Sequence, residues 1–112
     1  MMPLPRILGR ESGEEERFVL TLEPDHPAFR GHFPGYPILP GVIQVDWAIR
    51  LGAEAFGHLG EFLGLSDLKF VAPILPGERI ELLLQREAGG LSFRYRSGED
   101  RKSSGRILFR TR

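Results

Sequence analysis

Gly31-His32-Phe33-Pro34-Gly35-Tyr36-Pro37-Ile38-Leu39-Pro40-Gly41-Val42 runs directly into Ile43-Gln44-Val45-Asp46-Trp47-Ala48-Ile49-Arg50-Leu51, and this junction decides the fold. Proline fixes φ and glycine lets backbones approach closely, so the first half describes a rigid, specifically shaped loop; a flexible linker would be rich in Gly and Ser. The second half reads as a helix from Gly41 to about Gly57. Pro40 is tolerated at its start, where no N–H is needed. Val42, Val45, Ile49, Ala53 and Phe56 follow steps of three and four residues. Ile43, Trp47, Ala48 and Leu51 make most of the girth apolar, which predicts a buried helix rather than a surface one.

Working outward, Glu16–Leu22 places Phe18, Leu20 and Leu22 on one face, the alternation of a half-buried strand. Pro24–Pro40 carries five prolines and two glycines, too many for a regular element. Beyond the helix, Gly57 to Gly64 connects to a strand over Leu68–Ala72, and Pro73-Ile74-Leu75-Pro76-Gly77 forms a turn or bulge. Arg79–Glu87 alternates, Gly89-Gly90 is a two-residue hairpin signal, and Leu91–Arg96 alternates strictly. Ser97 to Gly105 reads as a polar turn before a last strand over Arg106–Arg110. The expected order is one strand, a loop, one buried helix and a meander of about four strands. An antiparallel sheet wrapped on one long helix is the simplest way to bury both apolar surfaces, an α+β architecture.

The 112 residues suit one domain spanning 1–112, small enough that oligomerisation would add useful core. A hydrophobic share of 41% with 27% charged residues excludes a disordered chain. No apolar run is long enough to span a bilayer, and the start Met1-Met2-Pro3-Leu4-Pro5-Arg6 lacks a signal-peptide pattern. The absence of cysteine excludes disulfides and thiolate metal sites and fits a cytoplasmic location. Fifteen basic and fifteen acidic residues cancel, removing the electrostatic reason to expect nucleic acid. The cancellation is uneven: residues 1–89 hold 8 basic and 13 acidic residues, and residues 90–112 hold 7 and 2.

In its scarce residues the sequence resembles the hotdog-fold β-hydroxyacyl-acyl-carrier-protein dehydratases of FabA/FabZ type. The resemblance is carried by His32-Phe33-Pro34-Gly35, Pro37, Pro40-Gly41-Val42 and the acid Asp46, then by Lys69-Phe70, Pro73 and Pro76-Gly77-Glu78. Asp46-Trp47 after Leu39-Pro40-Gly41-Val42-Ile43-Gln44 looks most like the short, ApeI-like dehydratases of aryl-polyene pathways. The resemblance implies a hotdog fold, at least a homodimer, and conversion of (3R)-3-hydroxyacyl thioesters to trans-2-enoyl thioesters. It also implies a carrier-protein or coenzyme A thioester as substrate and no cofactor. The chain is shorter than typical members, which implies that a lid or an additional N-terminal helix is missing.

Such a dehydration needs a base for the C2 proton, an acid for the departing hydroxyl and polarisation of the carbonyl. His32 suits the base, with an unperturbed pKa near ~6.5, and the resemblance assigns it that role; a structural hydrogen bond is the bland alternative. Asp46 is about 7.5 Å along the helix from Gly41 at ~1.5 Å per residue, a carboxylate on an otherwise apolar helix. The resemblance makes it the acid, facing the histidine of the other subunit. The spacing of Asp46, Arg50 and Glu54 equally suits ion pairs along a helix face. Gly41 opens the helix, where free N–H groups attract developing negative charge, and the family uses that N–H to polarise the thioester carbonyl. Phe33, Pro40, Val42 and Gln44 are the candidate substrate-binding residues, Gln44 as an orienter of water or of Asp46. His26 and His58 read as structural or exposed, and no His/Asp/Glu set has metal-ligand spacing.

The arginine-rich last quarter suits either docking of an acidic carrier protein or protection of edge strands. Rival functions on the same fold are a thioesterase, a coenzyme A hydratase running the reverse reaction, and a non-enzymatic acyl-binding or assembly protein. The pairing of His32 with Asp46 speaks against the thioesterase, and a non-enzymatic protein would not need both.

Overall fold

A computed structural model describes residues 2–31 and 35–110. Six strands, β1 (Arg6–Glu11), β2 (Glu16–Thr21), β3 (Glu61–Phe70), β4 (Arg79–Glu87), β5 (Gly90–Ser97) and β6 (Asp100–Arg110), form one antiparallel sheet. Their spatial order is β1-β2-β4-β5-β6-β3. Among the described residues a single 16-residue helix, α1 (Gly41–Phe56), packs on the sheet, and a short 3₁₀ turn (Pro27–Phe29) lies in the loop before it. This is the α+β hotdog arrangement that the sequence resemblance implies.

The core forms where the two periodicities meet. Alternate residues of β2, β4 and β5, namely Phe18 and Leu20, Ile80, Leu82 and Leu84, and Leu91, Phe93 and Tyr95, are all essentially inaccessible to solvent. They face Trp47, Ala48 and Leu51 of α1, also fully buried. Gly52 brings the helix this close: a Cβ there would fall 2.6 Å from Leu91 Cδ2. Gly57 ends the helix at φ +81°, its N–H bonded to the Ala53 carbonyl.

Several sequence expectations need correction. β1 was not anticipated: most of Arg6–Glu11 is exposed, and a register shift between Ile7 and Gly9 removes the alternation that marks a half-buried strand. β3 begins at Glu61 and ends at Phe70, so 57–64 is not simply a connector, and Val71 and Ala72 lie beyond the strand. Two register shifts, at Phe62/Gly64 and Ser66/Lys69, interrupt its pleat, the second with Asp67 at φ +55°. These irregularities reset which side each residue faces, so Phe62, Leu65, Leu68 and Phe70 line one cavity despite non-alternating spacing.

Downstream the corrections continue. Residues 100–105 are strand rather than polar turn, the turn being Gly98-Glu99. Their polar character misleads because Lys102 and Ser103 are buried and hydrogen-bonded. The β4–β5 turn is Ala88-Gly89, one residue before the expected pair, with Gly89 at φ +69°. The meander is confined to β4-β5-β6; β3 lies beyond β6 and pairs only with it, while β2 takes the place beside β4. Finally, α1 is not buried all round. The sheet covers one side, and Val42 on the other is 74% exposed. What reads in sequence as core girth is in part the lining of a groove.

Candidate active site

The two proline-glycine segments of the sequence dock on each other. Leu39 N–H donates to the Ile74 carbonyl at 2.9 Å, and Leu22 clamps the second segment by accepting from Gly77 N–H at 2.5 Å and donating to the Glu78 carbonyl at 2.9 Å. From β6, the Lys102 ammonium donates to the Pro73 carbonyl at 3.0 Å and pairs with Glu78 at 3.1 Å. A prolyl loop has few N–H groups of its own, so these cross-bonds are what hold it.

That frame presents the start of α1. Pro40 occupies the cap position and provides no side-chain cap; its carbonyl accepts from both Ile43 and Gln44 N–H at 3.1 Å. The Phe70 ring lies over Gly41 so closely that a Cβ there would be 2.8 Å from the nearest ring carbon. A helix start without a side-chain cap, beside a small residue and an aromatic wall, favours a polar group carrying negative charge.

A groove of about 450 Å³ runs from this point between α1 and β3, lined by Gly41, Val42, Asp46, Ile49, Leu65 and Phe70 among others. Among the described residues, Asp46 is the sole ionisable one on its wall. Its side chain is 44% exposed and pairs with Arg50 at 3.3 Å, the i, i+4 contact that the spacing allowed. Arg50 in turn donates to the Met2 carbonyl at 2.6 Å. Asp46 therefore takes part in a helix-face ion pair and faces the groove at the same time.

Gln44 points the other way. It is 3% exposed, its Nε2 donates to the Leu39 carbonyl at 3.1 Å, and its Oε1 accepts from Ser103 Oγ at 2.5 Å. Its main-chain carbonyl accepts from the Tyr95 hydroxyl at 2.7 Å. Burial pushes the Tyr95 phenol well above its ordinary pKa, and the Asp46 carboxylate nearby adds to the rise, so this donor keeps its proton.

The structure thus brings Gly41, Val42 and Asp46 together on one groove, sets Pro40 at its head and turns Gln44 into the core. His32 and Phe33 lie outside the described residues; Gly31 and Gly35 on either side have φ of +77° and +78°. His26 is built into the scaffold: its Nδ1 accepts from Ala28 N–H at 3.0 Å and its ring stands edge-on to Trp47 at 5.3 Å. His58 is exposed just after the helix. Among the described residues no group of three or more His, Asp or Glu is disposed to hold a metal.

Sequence reasoning missed Tyr95 and Ser103 as parts of this site. Tyr95 looked like one more member of an alternating strand, and Ser103 lay inside the supposed turn. It also misplaced the arginines. β5 and β6 are interior strands, not edges, and four of their arginines are paired: Arg94 with Glu15, Arg96 with Glu81, Arg106 with Glu87 and Arg110 with Glu61. The uneven charge of the two chain halves folds into ion pairs between them.

Comparison with known proteins agrees with this fold. The family described as "ApeI-like: ApeI dehydratase" matches residues 9–106. A 3-hydroxyacyl-[acyl-carrier-protein] dehydratase FabZ of Mannheimia succiniciproducens is 38% identical over 88 residues, covering 71% of this chain and 59% of that protein. The FabZ of Desulforamulus reducens is 30% identical over 116 residues, covering 93% and 82%. Among solved structures, the dehydratase heterocomplex ApeI:P from Xenorhabdus doucetiae superposes with a TM-score of 0.87 at 32% identity, covering 95% of this chain and 97% of that one. An uncharacterised protein from Erwinia carotovora subsp. atroseptica superposes with a TM-score of 0.80 at 34% identity, covering 95% of each. The chain belongs to the ApeI-like dehydratase family. It spans about three-fifths of the length of the first curated relative.

Proposed function

We propose that this chain dehydrates (3R)-3-hydroxyacyl thioesters carried on acyl carrier protein to trans-2-enoyl thioesters. The observation that carries the reading is the placement of Asp46 on the wall of an apolar groove that opens at the uncapped helix start, Gly41. The acyl chain lies along the groove, and the thioester carbonyl meets the Gly41 N–H, which stabilises the negative charge that develops as C2 loses its proton. His32 takes that proton; the C2–H electron pair forms the C2=C3 double bond and the C3–O bond breaks. Asp46 acts as the acid towards the hydroxyl through a water: the proton taken by His32 reaches the departing group along it, so the hydroxyl leaves as water and both side chains end as they began. Pro40 and Val42 form the mouth, and Phe33 is assigned to substrate binding with them.

The site is shared in a homodimer, His32 of one chain meeting Asp46 of the other, with β3 at the junction. The first curated relative acts on carrier-protein substrates by its name, which supports that carrier over coenzyme A. No helix among the described residues is long and apolar enough to cross a membrane, and the reading places the protein in the cytoplasm.

The test is to incubate the protein with a 3-hydroxyacyl carrier protein and weigh the product. Loss of one water is expected, with His32→Ala and Asp46→Asn each lowering the rate by about 10²- to 10⁴-fold. Release of the free acid would make it a thioesterase. An unchanged substrate, or full turnover by His32→Ala, would overturn the mechanism.

A further inference from the structure

The first turn of α1 is held from inside the core. Pro40 offers neither an N–H nor a side-chain oxygen, so a cap of the ordinary kind is missing. Four residues on, Gln44 is buried on the core side of the helix, 3% exposed. A buried carboxamide is tolerable only with both ends partnered, as they are here by Leu39 and Ser103. Leu39 directly precedes Pro40-Gly41, and its own N–H is bound to the Ile74 carbonyl. Its N–H and C=O are therefore both fixed, and Pro40, with its ring-locked φ, leaves little freedom before Gly41. Tyr95 steadies the same turn through the Gln44 carbonyl.

We infer that Gln44 is a positioning residue: anchored on Ser103 of β6, it holds the Leu39 carbonyl and so fixes the direction in which Gly41 presents its N–H. Gln44 does not touch the substrate in this role. The inference rests on the function proposed above for its catalytic consequence, but its structural half stands on the bond chain Ser103–Gln44–Leu39–Ile74 alone.

The test uses the full chain and the variants Gln44→Met and Ser103→Ala, with three measurements: melting temperature, the ¹⁵N-relaxation order parameter of the Gly41 and Val42 amides, and kcat and KM on a 3-hydroxyacyl carrier protein. In Gln44→Met the Gly41 order parameter is expected to fall from about 0.85 to below about 0.6. The kcat should drop on the order of 10- to 100-fold, as misplacement of a reacting contact does, while KM stays within about twofold. A folded Gln44→Met with wild-type order parameter and kcat overturns the inference, and so does a rise in KM alone, which would mean direct substrate contact. Should Gln44→Met fail to fold, Ser103→Ala, which deletes a single hydroxyl, carries the same readouts in the same directions. A wild-type protein that does not dehydrate removes the proposed function, and the order parameter still decides for or against positioning.

Discussion

The Phe70 ring occupies the space that a Cβ on Gly41 would need, 2.8 Å from its nearest carbon. Glycine at the first residue of a helix is unfavourable by propensity, and alanine would ordinarily gain up to ~1 kcal/mol. Here the gain is opposed by the ring. Because Phe70 lies on an edge strand and is 52% exposed, it can swing aside at small cost, and the groove that runs past Asp46 lies on its path. Gly41→Ala is therefore expected to stay within about 1 kcal/mol of wild-type stability while turnover falls at least about tenfold. Restoration of most of that turnover by Phe70→Leu in the Gly41→Ala background would confirm the ring as the cause. An active Gly41→Ala single variant would show that the contact relaxes without consequence.

Glu81 on β4 ties three strands together, accepting hydrogen bonds from Arg17 on β2 and from Arg96 on β5, the latter at 3.0 Å. Burial works upward on its pKa, but the hydrogen bonds and charges of the two arginines outweigh it and hold the carboxyl below its ordinary value. A depressed folded-state pKa means stability that is fully present above the unfolded value near ~4.3 and is lost as pH falls through the folded one. Glu81→Gln should be destabilised by no more than about 1 kcal/mol at pH 7, since the arginines are partly solvated. The gap to wild type should close in urea titrations as pH falls from the unfolded value near ~4.3 through the lower folded one. A gap that persists unchanged at the acid end would assign the effect to packing instead.

Much of this architecture was legible because local pattern and tertiary role coincide. Phe18-Val19-Leu20 alternates and is a strand; Val42 to Phe56 has helical spacing and is a helix. Where the two diverge, the sequence misleads. Asp100 to Gly105 has the composition of a turn because its inward side chains serve special purposes: Ser103 partners Gln44, and Gly105 leaves room for Leu68 and Phe93. Phe62, Leu65 and Leu68 share a face only because bulges break the pleat, which no period detects. At the site, Gly41 and Asp46 stood out by residue type and setting. Gln44 looked like a groove residue for want of any sign in sequence that its partners lie on β6 and in the loop behind it.

Tyr95 gives a pH dependence of the opposite sense. Its phenol is buried and raised well above its ordinary pKa, so the folded chain keeps a proton that the unfolded chain releases near pH ~10. Above that point the unfolded state binds fewer protons, and stability must fall as pH rises. Tyr95→Phe removes the titrating group while leaving the Gln44 carbonyl to its helical partner. The variant is expected to be less stable than wild type at pH 8 by about 0.5–1.5 kcal/mol, the usual worth of one hydrogen bond. It should also lose stability less steeply between pH 10 and 11 in denaturant titrations. Parallel slopes would locate the alkaline sensitivity elsewhere.

β3 carries the last prediction. It has one strand neighbour, β6, and Phe62, Leu63, Leu65, Leu68, Phe70 and Val71 on or just beyond it are each between 39% and 64% exposed. An apolar surface of this size beside a groove is of the kind that another chain covers. Under the proposed function, a second copy seated there would close the groove over Asp46. Leu65→Lys should then yield a folded monomer by sedimentation, with dehydration lost. More directly, mixing His32→Ala chains with Asp46→Asn chains should regain about a quarter of wild-type activity, because half the dimers formed at random are mixed and each holds one intact site. A mixture no more active than its components would place both groups within one chain.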